Sequence, residues 1–283
     1  MSSLPFGATQ LGDAIREAVP EWALPLFVAV THLGSAAAFL TVFALDYWFG
    51  DSRRGARSLA LLFGGMALVV ALKTAFAQPR PDEALRAVAA TGYSFPSGHA
   101  TVATIGFGLL ALDVDRWRLR WRVAAAAALV ALVALSRVVL GVHFLRDVVA
   151  GVAVGAAYLA VVRLLADGRP RTGFRVAAAV GLVAVVRSGA SHHGAAVFGV
   201  TAGAVATWEA LGAVPTVETR RHQVALGGVG VPTLGSLGLV GAYVVESPVA
   251  VAALAAVLTA ALLAAPLAVR RAARAPVFGA SRG

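Results

Sequence analysis

The stretch 119–165, LRWRVAAAAALVALVALSRVVLGVHFLRDVVAGVAVGAAYLAVVRLL, decides the fold. Two apolar runs, 123–139 and 148–165, each approach the roughly 20 residues that an α-helix needs to cross hydrocarbon. Between them stands a polar knot, SRVVLGVHFLRD, in which Gly141 can break the helix. Arginines stand before the first run (Arg116, Arg118, Arg120, Arg122) and again at Arg163 near the end of the second. That is the pattern of two membrane helices joined by a short turn.

The same alternation continues in both directions. Further apolar runs at 22–46, 56–76, 98–112, 176–186, 193–210, 224–245 and 248–269 bring the expected total to about nine spans. The sixth, 176–186, is short enough to be tilted or re-entrant. The expected fold class is therefore all-α, a polytopic transmembrane helix bundle. Composition agrees: of 283 residues 59% are hydrophobic and 13% charged, against about 25% charged in a soluble domain. Cysteine is absent, which excludes disulfides and thiolate metal sites. Residues 1–21 lack the basic start and apolar core of a secretory signal. Leu11, Ala14, Ile15 and Val19 give them weak amphipathicity, so they are read as an interfacial segment.

A net charge of +10 on a soluble surface would point to a polyanion, but here the charges cluster between apolar runs, so nucleic acid is not an expected partner. Positive-inside counting places 17 basic residues on one side, in the clusters at 53–57, 116–122, 163–175, 220–221 and 270–282. The other side holds seven: Arg16, Lys73, Arg80, Arg86, Arg137, Arg146 and Arg187. The first side is read as cytoplasmic, which puts the N-terminus outside. Trp22, Tyr47, Trp48, Trp117 and Trp121 lie near span ends, as an aromatic belt requires, and Gly151/Gly155 and Gly199/Gly203 are candidate small-residue helix contacts.

Three of the minority cations, Lys73, Arg80 and Arg137, fall at or just inside span ends, where a charge is costly unless it is paired or faces a watery cavity. An anionic ligand would satisfy all three, and phosphate suits Arg forks and a Lys point charge alike. In YSFPSGHATV a loop enters the third span near Pro96–Gly98. The free N–H groups of a helix start, with Ser97 and Gly98 there, make an anion seat, and His99 stands in the first turn. His143 and Asp147 are four apart, so on one turn their side chains meet. An Asp holding Nδ1–H would leave Nε2 free to attack. All three segments fall on one side of the expected topology.

KTAFAQPRP, PSGH and SRVVLGVHFLRD together resemble the three-part signature of the type 2 phosphatidic acid phosphatase superfamily, K-x6-RP, PSGH and SR-x5-H-x3-D, in order and at the set spacings. The resemblance implies a membrane phosphatase acting on a lipid phosphate or polyprenyl pyrophosphate. It implies His143 as a nucleophile that forms a phosphohistidine, Asp147 as its orienting partner and His99 as general acid. Lys73, Arg80, Ser97, Gly98 and Arg137 would clamp the phosphate, and no cofactor or metal is implied. The apolar spans exclude the superfamily's soluble haloperoxidases.

The resemblance divides the chain into a phosphatase core at 22–170 and further transmembrane helices at 171–283, to which it assigns no role. Membrane members of the superfamily commonly have three spans before the first motif's loop, whereas two are read here. A lipid phosphotransferase would use the same residues and differ only in the acceptor; a transporter of anionic lipid is a further alternative, against which the boundary position of the cations argues. Outside the motifs, His32 is expected to hydrogen-bond between helices and His192 and His193 to lie in a loop. Asp46, Glu209 and Glu246 are expected to be solvated. The substrate lipid and the surrounding membrane lipids are the expected partners, and the cell membrane the expected location.

Overall fold

Asp51 begins the helix around which the others pack. Its carboxylate accepts hydrogen bonds from the Arg53 and Arg54 amides at 3.0 and 2.9 Å, satisfying two of the donors that a helix start leaves free. The computed structural model describes residues 6–189, 191–212, 224, 226–230 and 247–274. Every regular element among them is helical: α1 (Phe6–Glu17), α2 (Leu24–Leu33), α3 (Ala36–Phe49), α4 (Ser52–Phe76), α5 (Gly98–Asp113), α6 (Leu119–Val139), α7 (Leu145–Ala166), α8 (Pro170–Arg187), α9 (His192–Leu211) and α10 (Pro248–Arg274). Short turns of other helix types lie at Glu21–Ala23, Glu83–Leu85 and Leu226–Gly230.

Helix α4 is central, with α3, α5, α8 and α9 packed around it. Its Leu59, Ala60, Leu61, Leu62 and Phe63 are all buried, so it lacks a lipid face over this stretch. Two glycine pairs set close helix approaches, as expected from their spacing. A methyl at Gly151 or Gly155 on α7 would come within 2.7 Å of the Ser97 or Thr101 carbonyl of α5. One at Gly199 or Gly203 on α9 would strike the backbone of α10 at Ala252 or Ala256.

Among the described residues five helices, α4, α6, α7, α9 and α10, are long and apolar enough to cross a membrane, and α2 with α3 makes a sixth candidate. The first expected span is thus a bent pair: the chain turns by 44° between them, where Gly34 ends α2 and the Ser35 hydroxyl caps α3. The third expected span, α5, has 16 residues, about 24 Å at helical rise. The doubtful sixth is a full helix of 18 residues, α8, because its polar first turns, with Arg171 and Arg175, are helical too. Most of the expected eighth span, 224–245, lies outside the described residues, as do Arg220, Arg221, Glu246 and Arg282.

Tyr47 and Trp48 do not form part of an aromatic belt. Both are buried, and they donate to the Leu263 and Leu262 carbonyls of α10 at 2.7 and 2.9 Å. Pro266 explains the pairing, since it lacks the N–H that would otherwise bond the Leu262 carbonyl one turn earlier. Trp22, Trp117 and Trp121 are exposed, as a belt requires.

The end of the bundle opposite the motif residues is tied by ion pairs. Asp113 at the close of α5, with a side chain 4% exposed, meets Arg57 of α4 at 2.8 Å and Arg163 of α7 at 2.7 Å. Two acids expected to be solvated are likewise paired: Asp46 with Arg54, and Glu209 with Arg171 and Arg175. Helix α1 lies at the motif end, where Gly12 approaches Val138 and Ile15 packs on the cluster that includes Val138 and Val148.

Candidate active site

Four helix ends meet at one pole of the bundle: the last turns of α4 and α6 and the first turns of α5 and α7. These turns carry Lys73, Arg137, Ser97–His99 and Asp147. The two loops joining them supply Arg80 and His143. All eight residues expected at the site therefore fall at this pole.

The loop after α4 turns at Ala77, whose φ of 47° ends the helix, and folds back on its own start. Lys73 Nζ donates to the Tyr93 carbonyl and, at 3.1 Å, to that of Ser94. Arg80 Nε donates to the Thr91 and Gly92 carbonyls at 3.1 and 3.0 Å. The loop then packs on the α6–α7 turn through Gly141, at φ 68°, where any side chain would collide with the Leu85 carbonyl. Only glycine meets both demands.

His143 is 4% exposed and lies between an acid and a cation. Its Nδ1 stands 3.2 Å from Ser94 Oγ and 3.4 Å from Asp147 Oδ2, while its Nε2 lies 3.2 Å from Arg80 Nη1. Asp147 is fully buried and accepts from Ser94 Oγ at 2.5 Å and from the Phe144 amide at 3.0 Å. Because Ser94 donates its proton to the carboxylate, its oxygen is free to accept from Nδ1–H. That fixes the tautomer with an Nε2 lone pair facing the cations. Burial pushes the His143 pKa down to about 4; the Asp147 hydrogen bond opposes this, and the Lys73, Arg80 and Arg137 charges add to it. The imidazole is therefore neutral at ordinary pH.

The protein's own groups position the cations. Arg80 Nη1 also donates to the Val142 carbonyl at 2.8 Å, and burial together with Arg86 holds its pKa below that of a free guanidinium. Arg137 is 7% exposed and donates from Nη1 to Thr31 Oγ1 of α2 at 2.7 Å. Its Nε is buried without a hydrogen-bond partner among the described residues, an unmet donor that an anion would fill. Ser97 is fully buried at the N-cap of α5, its amide donating to the Asp147 carbonyl at 2.9 Å, so the anion seat and the His143 support share one residue. His99 is half-buried and makes no hydrogen bond with the described residues.

Ser94 and Thr31 were not anticipated. Ser94 lies within the quoted YSFPSGHATV, but a serine among loop residues carries no signal of its contacts; Thr31 is 106 positions from Arg137. His32 is exposed near the end of α2 rather than bridging helices, because its neighbour Thr31 takes the inward position. His192 and His193 form the first turn of α9 rather than a loop, since Ser191 caps the helix there through Gly194 N. Among the described residues no group of three or more His, Asp or Glu is placed to hold a metal ion.

Residues 54–171 match the PAP2 superfamily. The chain is 36% identical over 112 residues to the decaprenylphosphoryl-5-phosphoribose phosphatase of Mycobacterium tuberculosis, a match covering 38% of this chain and 59% of that protein. It is 31% identical over 137 residues to an undecaprenyl-diphosphatase of Sulfolobus acidocaldarius, covering 46% and 65%. To phosphatidylglycerophosphatase B of Bacillus subtilis it is 28% identical over 144 residues, covering 47% and 70%. The crystal structure of a transmembrane PAP2 type phosphatidylglycerolphosphate phosphatase from Bacillus subtilis superposes with a TM-score of 0.49 at 24% identity, over 58% of this chain and 86% of that one.

Proposed function

With residues 54–171 a PAP2 superfamily region, we propose that the chain is a membrane phosphatase that hydrolyses a lipid phosphate or polyprenyl diphosphate through a phosphohistidine on His143, at the extracytoplasmic face. The observation that carries this reading is the setting of His143. Its Nδ1 is backed by Ser94 and Asp147, and its Nε2 points at Arg80.

Each residue then has a physical task. Lys73, Arg80 and Arg137, with the N-terminus of α5 at Ser97 and Gly98, hold the phosphoryl oxygens and take up charge as it develops in the transition state. His143 Nε2 attacks phosphorus, the N–P bond forms as the P–O bond to the lipid breaks, and the electron pair leaves on that oxygen. Asp147, through Ser94, stabilises the imidazolium that results. His99, which makes no hydrogen bond with the described residues, gives a proton to the departing alkoxide and later takes one from the water that cleaves the N–P bond. The charge bias supports this orientation: the pole bearing the site lies on the side with seven basic residues, and the opposite end belongs to the side with 17, Arg57, Arg122 and Arg163 among them.

The test is phosphate release from a panel of lipid mono- and diphosphates by the purified protein, beside His143→Ala. Turnover lost by at least about 10³-fold in the variant, with an acid-labile, base-stable phosphoenzyme in the parent, is the expected result. A variant that retains turnover would remove His143 from the reaction.

A further inference from the structure

A cavity of about 530 Å³ adjoins the cation cluster. Lys73, Arg80, Thr91, Gly92 and Tyr93 line one side of it. The other side is formed by Arg187, Ser188, Ser191 and His193, from the end of α8 and the start of α9, beyond the family-matched segment. Arg187 has no hydrogen-bond or ion-pair partner among the described residues. Its backbone is held nonetheless. Gly64 of α4 admits Ala177 of α8, and Gly181 of α8 admits the Thr201 side chain of α9, so α8 is wedged in place between the two.

His193 borders a second space as well, an apolar groove of about 290 Å³ lined by Val69, Val70, Val102, Val197 and His99. The groove suits a hydrocarbon chain, and the cations suit the phosphoryl group that His143 attacks. A substrate whose chain lay in the groove and whose outer phosphorus met His143 would pass His193, which lines both spaces, and Arg187, which lines the first, on its leaving-group side. A lipid monophosphate offers only an ether-like oxygen there. A lipid diphosphate places its inner phosphate there, with the negative charge that an unpaired guanidinium recognises best.

We infer that Arg187 and His193 form a subsite for the inner phosphate of a lipid diphosphate, selecting that substrate class over monophosphates. The inference rests on the function proposed above. His143 bonds to the outer phosphorus as its bond to the bridging oxygen breaks. The lipid monophosphate departs with the electron pair, steadied by Arg187, and water then releases inorganic phosphate from His143.

The experiment compares a C15 prenyl diphosphate with the corresponding prenyl monophosphate in detergent micelles. In Arg187→Gln the ratio of kcat/KM values, diphosphate over monophosphate, falls at least about tenfold, and His193→Ala lowers it further. An unchanged ratio overturns the subsite, and residual monophosphate turnover certifies that the variants fold. A second measurement separates the two readings: binding of prenyl methylenediphosphonate against prenyl phosphonate by the His143→Ala protein, with and without Arg187→Gln. If no lipid phosphate is hydrolysed by the parent but the diphosphonate preference exists and depends on Arg187, the subsite stands and the hydrolase reading falls. If hydrolysis occurs without that preference, the subsite falls alone.

Discussion

Ser94 Oγ lies 2.5 Å from Asp147 Oδ2, nearer to that carboxylate than His143 Nδ1, which is 3.4 Å away. At 3.2 Å from Nδ1 the serine is the shorter link between the imidazole and the acid. A positioning role follows for Ser94 in any reaction that uses Nε2. Ser94→Ala is expected to lower kcat by about 10- to 100-fold with KM within about threefold, since phosphate contacts are untouched. Ser94→Thr, which restores the hydroxyl, should recover most of the loss. Steady-state kinetics on the three proteins decides it, and an equal rise in KM would make the serine merely structural.

The pH profile follows from the same environment. His143 is pushed down to about 4 by burial, so its neutral form, the one proposed to attack, is present above that value and is lost as pH falls through it. The acid limb of kcat/KM that belongs to the enzyme should fall near pH 4, not near the usual imidazole value of about 6.5. Substrate ionisation is separated by comparing a lipid monophosphate with a diphosphate, because an enzyme limb holds its position between them. A limb common to both near pH 6.5 would mean that His143 is solvated or strongly paired with its acid.

How far the letters carried depends on whether an interaction is local. The His143–Asp147 spacing is one helical turn, so its contact followed from periodicity, and Ser97 with Gly98 followed from the demands of a helix start. Grouping Lys73 and Arg80 with Arg137 needed only topology, since alternate spans return to one face. Thr31 to Arg137 and Trp48 to Leu262 are long-range pairings that no local pattern encodes. Span lengths were misread where polar residues pair sideways: Arg171 and Arg175 read as the end of a span, yet Glu209 on α9 neutralises them within the helix. The break at Gly34–Ser35 was hidden because both flanking helices are apolar.

Arg137 owes its pose to a residue of another helix. Thr31→Val keeps the side-chain shape and removes the oxygen that accepts from Nη1, leaving a buried guanidinium with a second unmet donor. A lost hydrogen bond to a charged group costs about 1.5–3 kcal/mol. Because Arg137 is proposed to hold the phosphoryl oxygens and to take up charge as it develops in the transition state, kcat/KM should fall roughly 10-fold or more, with a rise in KM and a fall in kcat both contributing. Kinetics beside Thr31→Ser, which keeps the acceptor, tests this. A fall in kcat with unchanged KM would place Arg137 on transition-state charge alone.

Sidedness is open to a direct measurement because the chain contains no cysteine, so a single introduced thiol is unambiguous. Thr91 is exposed in the loop over the site and uses only its backbone carbonyl there, while Arg169 is exposed at the opposite end, between α7 and α8. On the orientation proposed above, the first lies outside and the second in the cytoplasm. A membrane-impermeant maleimide added to intact cells should therefore label Thr91→Cys and spare Arg169→Cys, and permeabilised cells should lose the difference. The reverse pattern would turn the bundle over and require the substrate headgroup to be presented from the cytoplasm. Equal labelling of both in intact cells would mean that the two poles do not lie on opposite sides of a membrane, and the reading of the bundle as a spanning one would fall with it.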